Sequence, residues 1–125
     1  MAKILIVDDE PRIRELIREH LQYAGYVCEE AGDGSAALSL LSGGGFDLVI
    51  LDVMMPELDG LAATRAIRGM DRPDAQLPII AMTANLFDED VAACLAAGMD
   101  AHIPKPLEAG QMIRTIAEWL ERKKQ

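Results

Sequence analysis

Three short runs of this chain are aliphatic almost without a break: Lys3 to Val7, Phe46 to Leu51 and Leu77 to Met82. A strand with one face in water alternates apolar and polar residues, whereas an unbroken run is covered on both faces. Strands of that kind belong in a parallel sheet with helices packed on each side. Between and after them stand segments whose apolar residues recur at three and four, the helical period. Ile13, Leu16, Ile17, Leu21 and Ala24 form one such face, opened by Pro11 and closed by Gly25. Met112, Ile113, Ile116, Ala117 and Leu120 form another in the last helix, expected from about Glu108 to Lys123.

Weaker signals complete the alternation. Tyr26 to Ala31 is a mixed, edge-like strand, and a short helix over Ala36 to Leu41 buries Leu38 and Leu41. Asp59-Gly60 leads into a helix through Ile67, and Asp88 caps one carrying Val91, Ala92, Leu95 and Ala96. Ala101-His102-Ile103 is a last short strand. Strand and helix thus alternate five times, which predicts a doubly wound parallel sheet with right-handed crossovers. The strand order 2-1-3-4-5 puts the three most aliphatic strands in the middle. No linker divides the chain, so residues 1–125 read as one domain.

Composition narrows the function. A formal net charge of −9 repels a nucleic-acid backbone, and no basic stripe offsets it. Arg122-Lys123-Lys124 reads as a complement to the negative end of the last helix. No apolar run is long enough to span a bilayer. Met1-Ala2-Lys3 leads straight into a strand and does not read as a secretory signal, so a cytoplasmic location is expected. Cys28 and Cys94 stand far apart with no Cys or His at ligand spacing, which predicts two reduced thiols. Gly43-Gly44-Gly45 lacks the Lys-Ser or Lys-Thr of a phosphate loop and reads as a connection.

In a parallel sheet all strands end at one edge, and there the polar residues collect. Asp8 and Asp9 close the first strand, Asp52 the third and Thr83 the fourth, while Lys105 follows the fifth. Taken singly, Asp52 is either a helix cap or a chemical group. Taken together, these residues describe a phosphoryl site. Clustered carboxylates repel one another unless a cation sits among them, and an all-oxygen set with open water positions suits Mg2+. Lys105 offers a point charge to a phosphoryl oxygen and the Thr83 hydroxyl a donor to another. Asp52 is left as the nucleophile that forms an acyl phosphate.

Val7-Asp8-Asp9-Glu10, Leu51-Asp52-Val53-Met54-Met55-Pro56, Asp59-Gly60, Met82-Thr83-Ala84, Gly98-Met99-Asp100 and Lys105-Pro106 resemble the receiver domains of bacterial two-component response regulators, over essentially the whole chain. The resemblance implies the flavodoxin-like (βα)5 fold. It implies that Asp52 accepts a phosphoryl group from a phosphohistidine of a histidine kinase or phosphotransfer protein. By the same resemblance Asp9 and Asp52 bind Mg2+ directly, Asp8 acts through water, and the Met54 carbonyl is a backbone ligand. Thr83 and Lys105 contact the phosphoryl oxygens and carry the switch, and Lys105-Pro106 is commonly cis. Met54 and Asn85 occupy the places that tune phosphate loss.

The implied protein is a phosphorylation-dependent switch, assisting its own phosphorylation and dephosphorylation without being a conventional enzyme. Its phosphate reshapes the face of strand 4, strand 5 and helix 5 for a downstream protein, or for a homodimer through helix 4, strand 5 and helix 5. One position departs from the family pattern: His102 stands where the family usually has Tyr or Phe, so it is either a half-exposed strand residue or an atypical, less hydrophobic switch. The chain ends after the fifth helix, which fits a free single-domain regulator or a receiver from a larger protein. The competing reading is an interaction module with the same fold that works without phosphate. A phosphohydrolase would need an acid–base carboxylate where Met54 stands.

Overall fold

The computed structural model describes residues 2–52, 60–69, 77–83, 96–104 and 108–123. Five parallel strands form one sheet: β1 (Lys3–Val7), β2 (Val27–Ala31), β3 (Leu48–Asp52), β4 (Ile79–Thr83) and β5 (Ala101–Pro104). Their order is β2-β1-β3-β4-β5, as the aliphatic gradient predicts. The helices described are α1 (Pro11–Tyr23), α2 (Gly34–Ser42), α3 (Gly60–Arg68) and α4 (Ala109–Lys123). The helix expected after Asp88 lies outside the described residues, apart from its last turn at Ala96 and Ala97. No helix among the described residues is long and apolar enough to cross a membrane.

The unbroken aliphatic runs are explained by two cores, one on each face of the sheet. Leu5, Val7, Val49, Leu51, Ile79 and Ala81 point to one side and pack with Ala37, Leu41, Phe46 and Ile67. Ile4, Ile6, Leu48, Ile50, Ile80 and Met82 point to the other, against Ile17 and Leu21 of α1 and Met112 and Ile116 of α4. Period-two alternation is present, but both faces are dry.

Three expected core positions fall elsewhere. Leu16 is 41% exposed, because α1 buries the stripe Ile13, Ile17 and Leu21, and Leu16 lies a hundred-degree step off it. Ala24 ends α1 in the open, and Ala117 is likewise exposed on α4. Trp119 is half-buried against the α1/α4 core, with the Arg122 guanidinium 4.5 Å above its ring. His20 is exposed.

Local chemistry sets the ends. Asp33 caps α2, its carboxylate accepting from the Ala36 N–H at 2.7 Å. Glu108 does the same for α4, accepting from the N–H groups of Gly110 and Gln111. Gly98 has φ +109°, and a Cβ there would stand 3.0 Å from Cγ of Arg68, so both conformation and space call for glycine.

Cys28 of β2 is a buried free thiol. Burial pushes it up from the usual thiol range; Arg18 pulls the other way and Glu30 adds to the rise. Less thiolate therefore exists at neutral pH, and thiolate is the reactive form. Iodoacetamide at pH 7 is expected to label Cys28 at least roughly tenfold more slowly in the folded chain than in denaturant. Peptide mapping of a time course checks this; equal rates would contradict it.

Candidate functional site

The register brings the carboxylates together. Val7 pairs with Leu51, so the next residues, Asp8 and Asp52, leave adjacent strands side by side. Asp52 pairs in turn with Met82, which puts Thr83 one residue further along the neighbouring strand. Asp8 is fully buried and Asp52 is 3% exposed, whereas Asp9 faces solvent. One carboxylate oxygen from each of the three lies within 4.8 Å of the others.

Asp8 is held from several sides. Its N–H donates to the Ala31 carbonyl of β2 at 3.2 Å, and its Oδ1 accepts from the Glu10 N–H at 2.9 Å. Its own carbonyl accepts from Nη1 of Arg14 at 2.6 Å. Nε of Arg14 also donates to Glu30, whose second oxygen takes Nη1 of Arg18 at 2.8 Å. In the sequence Arg14 falls among the polar residues of α1, and nothing there marks this role. A side chain that reaches a main-chain carbonyl leaves no motif behind.

The expected site is thus reached in part. Asp8, Asp9 and Asp52 converge. Thr83 ends β4 at the same edge, and its side chain lies outside the described part. Met54, Asp59, Asn85, Lys105 and Pro106 lie outside the described residues. His102 sits on the edge strand β5, exposed, in register with Ala81.

The donor set fits a hard divalent cation. It offers only oxygens, and it carries formal charges that repel one another. A divalent cation held among Asp8, Asp9 and Asp52 would offset that repulsion.

A doubly wound sheet of this order with acidic strand ends defines a class, the flavodoxin-like folds whose chemistry sits at the C-terminal sheet edge. Comparison narrows it: residues 4–117 match the response regulator receiver domain, and the chain belongs to that family of two-component signalling domains. It is 40% identical to the sensor histidine kinase RcsC of Escherichia coli K12 over 119 residues, 95% of this chain but 12% of RcsC. It is 38% identical to the response regulator MprA of Mycobacterium tuberculosis H37Rv over 123 residues, covering 98% of this chain and 52% of MprA. The chain therefore spans about an eighth of one of these relatives and about half of the other.

Solved structures agree. The Vibrio cholerae chemotaxis protein CheY4 superposes with a TM-score of 0.90 at 34% identity, over 95% of this chain and 98% of that one. The receiver domain of the Pseudomonas aeruginosa sensor histidine kinase PA1611, solved with a magnesium ion coordinated in its active-site cleft, gives 0.88 at 33% identity, over 96% and 98%.

Proposed function

We propose that residues 1–125 form one receiver domain that works as a phosphorylation-driven switch, with Asp52 as the acceptor. The observation that carries the reading is the meeting of Asp8, Asp9 and Asp52 at the sheet edge, with Asp52 buried among aliphatic strands. A carboxylate in that position is held still and partly dry, as a nucleophile needs.

In the reaction a carboxylate oxygen of Asp52 attacks the phosphorus of a phosphohistidine on a histidine kinase or phosphotransfer protein. The P–O bond forms, the N–P bond breaks, and the imidazole leaves with the electron pair. Asp9, Asp52 and the Met54 carbonyl would hold Mg2+, with Asp8 acting through water. Bound there, the ion offsets charge on the carboxylates and the phosphoryl oxygens. Lys105 pairs with a phosphoryl oxygen, and Thr83 donates to another. Movement of Thr83 then reshapes the β4/β5/α4 face, with His102 beside it, for a downstream protein or a second copy. Such a domain assists its own phosphorylation and acts as a signal rather than a conventional enzyme, in the cytoplasm where kinase phosphohistidines form.

With MgCl2 and acetyl phosphate the intact chain is expected to gain the mass of one phosphoryl group, and in EDTA to gain none. No gain with Mg2+ present, or an equal gain in EDTA, would overturn the reading.

A further inference from the structure

Among the described residues, Asp9 differs from its neighbours in having little to hold it. Asp8 and Asp52 are buried, while Asp9 is exposed at the start of a loop. Its position depends on the peptide that joins it to Asp8. That peptide is planar, so fixing the Asp8 carbonyl fixes the direction in which Asp9 leaves it.

The carbonyl is fixed by Arg14, through the 2.6 Å bond from Nη1. The guanidinium is itself anchored, since Nε donates to Oε1 of Glu30 at 3.3 Å and Arg18 holds Oε2 of Glu30 at 2.8 Å. Arg14 is largely covered, with 18% of its side chain exposed. A planar fork with donors at fixed angles can serve the carbonyl and Glu30 together; a lysine ammonium at the end of a flexible stem cannot hold both in the same geometry.

We propose that Arg14 is a positioning residue for the acidic site: it pins the Asp8–Asp9 peptide and thereby holds the Asp9 carboxylate where a divalent cation can use it. The inference rests on the reading of the acidic cluster as a cation site. Groups that orient metal ligands from behind typically carry ten- to hundredfold in affinity. Arg14 is also a cation close to that site, and this effect has the opposite sign: removing its charge alone would tighten metal binding. Two substitutions separate the effects. Arg14→Lys keeps the charge and loses the fork, while Arg14→Gln loses both.

Calorimetric titration of the full chain with MgCl2 tests the proposal, with circular dichroism melting run beside it. Arg14→Lys is expected to bind Mg2+ roughly tenfold more weakly than wild type, and Arg14→Gln more weakly than wild type by a smaller factor, since its lost charge offsets part of the effect. Glu30→Gln, which loosens the anchor and leaves Arg14 in place, is expected to lose about threefold, a fraction of the same effect. Should Arg14→Gln fail to fold, Arg14→Lys and Glu30→Gln decide. Arg14→Lys within twofold of wild type, or Arg14→Gln binding more tightly, would overturn the assignment and leave Arg14 as a counter-charge. A wild type that takes up no Mg2+ would overturn the proposed function itself; a wild type that binds while Arg14→Lys matches it overturns the Arg14 assignment alone.

Discussion

Arg68→Ala is expected to lower the unfolding free energy by about 3 kcal/mol, within the range for leaving half-buried polar groups and an ion-pair partner unserved. Arg68 ends α3 and reaches two main-chain carbonyls and one carboxylate. Its Nε and Nη2 donate to the Gly98 carbonyl at 3.0 and 2.8 Å, and Nη1 donates to the Leu77 carbonyl at 2.7 Å. Nη2 also meets Oδ2 of Asp100 at 2.8 Å, an oxygen that accepts the Ile79 N–H as well. One side chain therefore ties the end of α3, the start of β4 and the turn into β5. Domains of this size carry about 5–15 kcal/mol in all, so this is a large share. Arg68→Lys is expected to recover less than half, because an ammonium cannot serve all three acceptors. Urea unfolding followed by circular dichroism measures both. A loss under about 0.5 kcal/mol in Arg68→Ala, the scatter of ordinary surface changes, would show that the clamp is incidental.

Asp9→Asn is expected to move two readouts in opposite directions. Mg2+ affinity should fall by more than about a hundredfold, beyond what indirect contacts carry, because a direct ligand is lost. Stability without divalent cation should rise, by about 2 °C in Tm, because one of three mutually repelling carboxylates becomes neutral. Wild type at a Mg2+ concentration tenfold above its Kd should gain about 1.4 kcal/mol, and the variant at the same concentration almost none. A residue that mattered only for folding would lower Tm in both conditions. Melting curves with and without MgCl2 therefore separate a functional carboxylate from a structural one, and a Mg2+-induced gain that survives Asp9→Asn would contradict the site.

The sheet was legible because its evidence is periodic and local. Continuous runs such as Ile4 to Val7 mark strands covered on both faces, and polar residues at their ends mark the edge where they stop. Asp8, Asp9 and Asp52 could be grouped before any coordinates, since parallel strands share one C-terminal edge. What stayed hidden depends on angles and distant partners. Leu16 fits the helical period as well as Ile17 does, and only the packing of α1 on the sheet shows that the Ile13, Ile17 and Leu21 stripe faces in. Arg14 and Arg68 look like solvated helix charges in sequence. Their partners are main-chain carbonyls and carboxylates 16 and 32 positions away, none of which leaves a pattern along the chain.

The acceptor role of Asp52 is settled by locating the phosphate. The full chain is phosphorylated with acetyl phosphate and MgCl2, digested quickly at low temperature, and its peptides are sequenced by mass spectrometry beside those of Asp52→Asn. The phosphoryl group is expected on the peptide carrying Asp52, with none anywhere in the variant. A phosphoryl group on another residue of the wild type, or an undiminished one in Asp52→Asn, would contradict the switch described above.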